Sequence, residues 1–178
     1  MPRLFEYVAI VRTKTRDAFI AAHPNAFLLH RHLETPDTGD RGFKTATVAA
    51  GVSDLMRAIT AGEAKIKGDV SSYDVYPVLK KPDSPYPSRF SIGRTRTNDV
   101  AVNEKSISKL HAYIQGEPPG ATLTDANSRN GVTLNGATLQ PGVAAPLAPG
   151  DSFGLGSAPF VYYDAGAFYD FVKSTILK

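Results

Sequence analysis

The rhythm of apolar and polar positions changes once along the chain, near residue 70. Before that point the apolar residues fall in short runs of mixed period. Residues 7–11 (Tyr-Val-Ala-Ile-Val) read as a strand or as the start of a helix. Residues 15–22 place Phe19 and Ile20 on a helical pattern that His23-Pro24 ends, because proline disfavours helical backbone in the residue before it. Residues 26–30 read as a buried strand, 33–42 as a turn-rich loop and 43–49 as a β-branched strand. Residues 53–61 read as a helix, with Ser53 at the N-cap, Leu55, Met56 and Ile59 on one face, and Gly62 to end it.

After residue 70 the pattern becomes short strands punctuated by turns, the mark of a sandwich or barrel. Candidate strands cover 75–79, 89–93, 100–102, 111–115, 122–124, 132–134, 137–139, 144–147, 152–155 and 160–163. Leu134-Asn135-Gly136-Ala137 predicts a tight type I′ hairpin, since Asn-Gly accepts the positive φ that this turn needs. In the tail, Phe168, Phe171, Val172, Thr175 and Ile176 recur at helical spacing, with Asp164 upstream as a cap. The expected architecture is mainly β. Residues 71–164 form a β-sandwich, 1–70 an α/β N-terminal extension packed on it, and 165–178 a C-terminal amphipathic helix.

Composition narrows the function classes. The 178 residues are 42% hydrophobic, enough for a core, and no run approaches the ~18 apolar residues of a membrane span. Met1-Pro2-Arg3-Leu4-Phe5-Glu6 is not followed by the apolar stretch of a signal peptide. There is no cysteine, which removes disulfides, thiol catalysis and cysteine-held metals and fits a reducing cytoplasm. Net charge is +3, too small an excess for bulk nucleic-acid binding. His23, His30 and His32 lack further ligands at zinc-like spacing, so neither a metal nor another cofactor is expected.

The positive charges are unevenly placed. Arg94, Arg96, Lys105, Lys109 and Arg129 fall in or beside three polar clusters: Gly93-Arg94, Ser108-Lys109-Leu110-His111 and Ser128-Arg129-Asn130-Gly131. A phosphorylated side chain carries close to two negative charges and three acceptor oxygens. Its site needs a guanidinium or ammonium, a hydroxyl or amide donor, and backbone N–H groups in a tight loop. The clusters hold those groups, and a sandwich that gathers its loops at one end would make them neighbours.

Residues from about Asp74 to Tyr163, half of the chain, resemble a forkhead-associated (FHA) domain. The resemblance rests on Gly93-Arg94, Asn98-Asp99-Val100, Ser106-Ile107-Ser108-Lys109-Leu110-His111-Ala112, Asp125, Ser128-Arg129-Asn130-Gly131, Asn135-Gly136 and the run from Gly150 to Gly156, in that order. It implies an eleven-stranded sandwich that binds phosphothreonine peptides through its apical loops. Arg94 and Ser108 would bind the phosphate with help from Lys109. Asn130 would hold the peptide backbone, and Arg129 would lie beside the pocket. Gly93, His111 and Gly131 would shape the loops. Ser106 occupies the place where the family often tunes choice of the residue three after phosphothreonine. It is small and uncharged, so no acidic preference is expected there. Val132 stands where threonine is common, a packing adjustment.

The implied partner is a phosphothreonine-containing protein, a Ser/Thr kinase or its substrate, with no nucleic acid and no membrane. An FHA-like scaffold that ignores phosphate is the alternative, and the presence of Arg94, Ser108 and Asn130 together argues against it. Catalysis is not expected. Gly150-Asp151-Ser152-Phe153-Gly154 matches a hydrolase nucleophile pattern, but that pattern needs a helix directly after the serine, and a β run follows instead. Thr35 and Thr38, in the polar loop, are sites where phosphorylation would let the chain dock in its own pocket.

Overall fold

In the computed structural model, which describes residues 3–31, 73–117 and 119–176, two β-sheets face each other and helices cover one of them. The strands are β1 (Phe27–Arg31), β2 (Tyr73–Pro77), β3 (Phe90–Gly93), β4 (Val100–Ala101), β5 (Ala112–Gln115) and β6 (Thr122–Asp125). They continue as β7 (Val132–Leu134), β8 (Ala137–Thr138), β9 (Ala144–Pro146), β10 (Ser152–Leu155) and β11 (Ala158–Tyr163). The first sheet runs β2-β1-β11-β10-β7-β8 and the second β4-β3-β5-β6-β9. Each strand expected after residue 70 is present, with ends moved by a residue or two. The β7–β8 hairpin turns on Asn135 (φ 49°) and Gly136 (φ 85°), both in the left-handed region that a type I′ turn requires.

Between the sheets lies a core of Leu28, Tyr76, Ile92, Ile107, Ile114, Leu123, Phe153, Phe160 and Tyr162 among others. Alternation explains most of it: β6 buries Leu123 and Asp125 and leaves Thr122 and Thr124 half-buried. β11 does not alternate, because all six of its residues are buried. Phe160 and Tyr162 point into the sandwich, while Val161 and Tyr163 point outward into a second apolar cluster.

That cluster is built by α1 (Leu4–Thr13), α2 (Arg16–Ala22) and α3 (Ala165–Phe171), the last continued by a π-helical turn over Val172–Ile176. Residues 7–11, which read as strand or helix, are helix. Leu4, Tyr7 and Val11 share the buried face, and Glu6 reaches back to the Arg3 N–H at 3.1 Å. The Thr15 side chain caps α2 and the Asp164 side chain caps α3, accepting from Ala167 N at 2.6 Å. Arg16 Nε lies 3.0 Å from Asp170 Oδ1, and Tyr169 donates to the Lys14 carbonyl at 3.0 Å, tying the N- and C-terminal helices together.

One sequence boundary differs from the structure. The sheet does not begin at residue 71: β1, from residues 27–31, sits between β2 and β11, pairing Leu28 with Tyr76 on one side and with Tyr162 on the other. A strand buried on both faces shows no alternation, and residues 32–72 separate it from the rest of the sandwich rhythm. The loop at 33–42, the strand at 43–49 and the helix at 53–61 lie outside the described residues, as do His32, Thr35 and Thr38.

Candidate functional site

The β3–β4, β4–β5 and β6–β7 loops meet at one end of the sandwich, the apical pole, and bring the three polar clusters together. β3 ends at Gly93, where the β4–β5 loop crosses so closely that a Cβ would lie 2.3 Å from the Lys109 carbonyl oxygen and 2.9 Å from the Leu110 Cα. Only glycine fits that crossing. The Arg94 N–H donates to the Ser108 carbonyl at 2.9 Å, and the His111 N–H donates to the Ile92 carbonyl at 2.8 Å. The Lys109 carbonyl accepts from Thr95 Oγ1 at 3.0 Å and from the buried Asn98 side chain at 2.6 Å. Ile107 is buried in the sandwich core, and Ser106 and Ser108 on either side of it are half-buried.

His111, fully buried, joins two of the loops. Its Nδ1 accepts from the Ser108 N–H at 3.0 Å, which places the ring proton on Nε2, and Nε2 donates to the Gly131 carbonyl at 3.0 Å. Burial pushes the imidazole pKa below its ordinary value, against the opposing pull of the Gly131 carbonyl and Asp125. A protonated ring would turn Nδ1 into a second donor facing the Ser108 N–H. The Gly131 carbonyl also accepts from Gly156 N at 3.0 Å, and Gly131 itself turns with φ 74°.

The third loop closes on the second through two contacts. Arg129 N donates to Ser108 Oγ at 3.1 Å, and Asn130 Nδ2 donates to the Ser106 carbonyl at 2.7 Å. Because the Ser108 oxygen already accepts, its hydroxyl proton remains to be given outward. Asn130 is exposed and keeps its amide oxygen and one N–H for a ligand. The side chains of Arg94, Lys109 and Arg129 are exposed, and no hydrogen bond or ion pair holds any of them among the described residues.

Beneath the β3–β4 loop lies a charged support built on Asp99, which belongs to the Asn98-Asp99-Val100 motif, and on Lys80 and Lys81, which sequence reasoning did not single out. The buried Asp99 carboxylate accepts from Lys81 N (2.9 Å), Lys80 Nζ (2.9 Å), Ser84 Oγ (3.0 Å), Ser91 N (2.8 Å) and Ser91 Oγ (2.9 Å). Burial alone would raise its pKa, but these donors outweigh burial and hold it at about 2. Lys80 also donates to the Tyr86 and Arg89 carbonyls, and Lys81 Nζ to those of Arg96 and Asn98. The sequence displays Lys80-Lys81 only as charge before a proline turn. Nothing in it signals that both ammonium groups turn inward.

A second concavity of about 580 Å³ lies at the opposite pole, between α2, the start of α3 and the sandwich, lined in part by Ile20, Pro24, Leu79, Phe90 and Tyr162. Its cations are already engaged, Arg16 by Asp170 and Lys80 by Asp99. It therefore lacks the free positive charge of the apical pole. Among the described residues no group of acidic and histidine side chains could hold a metal, and no helix is long and apolar enough to cross a membrane.

Residues 90–156 match the family model described as the FHA domain, a span that includes Gly93, Arg94, Ser108, His111 and Asn130. The ABC transporter ATP-binding/permease protein Rv1747 of Mycobacterium tuberculosis is 35% identical over 78 residues, 44% of this chain and 9% of that protein. The FHA domain-containing protein At4g14490 of Arabidopsis thaliana is 33% identical over 70 residues, 39% of this chain and 18% of that one. The chain thus spans a small part of the length of these relatives. Among solved structures, the FHA-2 domain of the Mycobacterium tuberculosis ABC transporter Rv1747 is 32% identical, covering 51% of this chain and 80% of that one at a TM-score of 0.39. The FhaA FHA domain complexed with the intracellular domain of Rv3910 is 28% identical, covering 53% and 91% at a TM-score of 0.41.

Proposed function

We propose that the FHA domain carried by this chain at residues 90–156 reads phosphothreonine in a partner protein, as a non-catalytic adaptor in Ser/Thr kinase signalling. The observation that supports this most is the convergence of free donors on Ser108. Arg94, whose N–H donates to the Ser108 carbonyl, and Lys109, next to Ser108 in the chain, carry unengaged charge, and Ser108 Oγ accepts from the Arg129 N–H with its own proton left to donate. Arg94 and Ser108 take the phosphate oxygens, Lys109 adds a point charge, and Arg129 flanks the pocket. Charge-assisted contacts of this kind are about twice as strong as neutral hydrogen bonds. Asn130, held by the Ser106 carbonyl, uses its remaining N–H and its amide oxygen on the extended backbone of the ligand. Gly93, His111 and Gly131 set the loop geometry and touch no ligand. The partner is a phosphothreonine-containing kinase or kinase substrate in the cytoplasm.

A binding titration tests this. Fluorescent peptides carrying phosphothreonine, phosphoserine or threonine are titrated with wild type and with Arg94→Ala. Wild type is expected to bind only phosphorylated peptide. Loss of the Arg94 contact should cost about 1.5–3 kcal/mol, since it removes a hydrogen bond to a charged group. Equal binding with and without phosphate, or an Arg94→Ala protein that binds as wild type does, would favour a phosphate-independent scaffold instead.

A further inference from the structure

The apical pole holds more positive charge than one phosphate uses. Beyond Arg94, Lys109 and Arg129, two further cations, Arg96 and Lys105, stand exposed on the same loops, and no carboxylate among the described residues pairs with either. Two acids of these loops, Asp99 and Asp125, are buried and engaged, and the third, the partly exposed Glu104, is directed at His30 rather than at Lys105. Asp99 is buried under five donors, Asp125 is buried and accepts from Ser128 N at 2.8 Å, and Glu104 Oε1 lies 3.9 Å from the buried His30 Nε2.

Arg96 lies on the β3–β4 loop and Lys105 on the β4–β5 loop, two of the three loops that form the candidate pocket. Arg96 follows Arg94 by two residues, and its carbonyl accepts from Lys81 Nζ at 2.7 Å, which fixes its backbone. Lys105 precedes Ser106, whose carbonyl holds Asn130. A chain segment crossing Ser108 and Asn130 therefore runs along two loops that each carry one of these cations. Both are solvated point charges without a hydrogen-bonded seat, so they attract anions without demanding one register. The apical loops offer no aromatic side chain on which a nucleic-acid base could stack, which favours a peptide as the source of the anions.

We infer that Arg96 and Lys105 select phosphothreonine segments flanked by acidic residues, reading the flanks by charge rather than by position. The inference rests on the phosphothreonine reading above. It differs from a pocket at Ser106, which would favour an acid at one fixed place only.

The test uses the full chain and peptides with one phosphothreonine and neutral flanks, three glutamates before it, or three after it, each acidic set also shifted by one residue. Each set of acids should tighten binding about threefold to tenfold at low salt, as exposed ion pairs of this kind contribute little individually. That gain should shrink severalfold at 0.3 M salt and survive the one-residue shift. Arg96→Gln/Lys105→Gln should abolish the gain while leaving the neutral-flank peptide bound within about twofold. No gain from acids, or a gain that persists in the double variant, would overturn the inference while the phosphothreonine reading stands. No binding of the neutral-flank peptide to wild type would instead remove the reading beneath it. Displacement of the peptide by duplex DNA of equal charge concentration would mark the pole as a general polyanion surface, and that too overturns the inference.

Discussion

At the apical pole the side chains that set the geometry are polar or small: Asn98, His111, Ser108, Asn130 and Gly93, joined by directed hydrogen bonds. On the outer face of the first sheet they are rings. Phe27 stacks on Phe168 at 4.4 Å between centroids, and Tyr7 meets both edge-on at 5.4 and 5.3 Å. The two regions do different work. A hydrogen bond adds only about 0.5–1.5 kcal/mol net, but it fixes direction. Burying a large apolar side chain adds about 1.5–3 kcal/mol without fixing where any charge points. The loops can thus hold unpaired cations in place because the helical face supplies the stability that such crowding of like charge diminishes.

Four experiments press on this division. Phe168→Ala, which empties the centre of the aromatic cluster, should lower unfolding free energy by about 3–5 kcal/mol in urea denaturation. Folded protein should keep its phosphopeptide affinity, and a large affinity loss would mean that the two regions are not separable. Gly93→Ala should cost about 3 kcal/mol, the upper part of the overpacking range, because the new methyl meets backbone atoms that cannot step aside. Here affinity should fall with stability, and unchanged affinity would show that the loop crossing is irrelevant to the pocket.

Acid unfolding should show contributions of equal sign from His111 and Asp99, with His23, whose pKa burial also lowers, adding to the upper step. Unfolded histidine takes up its proton near 6.5 and buried His111 resists it, so this stabilisation is complete above pH 6.5 and is lost as pH falls below that value. Asp99 titrates near 2 against 3.8 when unfolded, so its stabilisation is complete above pH 3.8 and is lost between there and pH 2. At about 1.4 kcal/mol per pKa unit, the Asp99 step amounts to about 2 kcal/mol, and it should vanish in Asp99→Asn while the upper step persists. The smallest effect belongs to Arg16→Ala. Its ion pair with Asp170 is solvent-exposed, so the variant should unfold within error of wild type in the same denaturation.

The strands after residue 70 were legible because each carries a half-buried alternation or sits between turn residues whose φ is constrained, such as Asn135-Gly136. The candidate site stood out in the sequence because anion-binding groups around Arg94, Ser108 and Asn130 cluster in three separated turn-rich stretches; that Ser108 and Asn130 also tie the loops together left no local trace. β1 was readable as a strand at Phe27-Leu28-Leu29, but its membership in the sandwich was not, since pairing partners leave no local trace. The helix at Leu4–Thr13 needed Glu6 to turn back on Arg3, a short-range contact that a period-based reading overlooks. The pairing of Lys80 and Lys81 with Asp99 escaped for a different reason, although Asp99 itself lay in the Asn98-Asp99-Val100 motif. Lysines beside proline ordinarily face solvent, and only the fold brings them over a buried carboxylate.

The position of β1 has a kinetic consequence. Its partners are Tyr73–Pro77 and, on the other edge, Ala158–Tyr163, so the centre of the first sheet joins segments from nearly opposite parts of the chain. Contacts of such high sequence separation form late and slow folding, because loop closure must precede any gain from pairing. During synthesis the first sheet cannot close until β11 has emerged from the ribosome. Until then β1 presents one bare edge and an uncovered apolar face, which makes the partly made chain the state most exposed to aggregation.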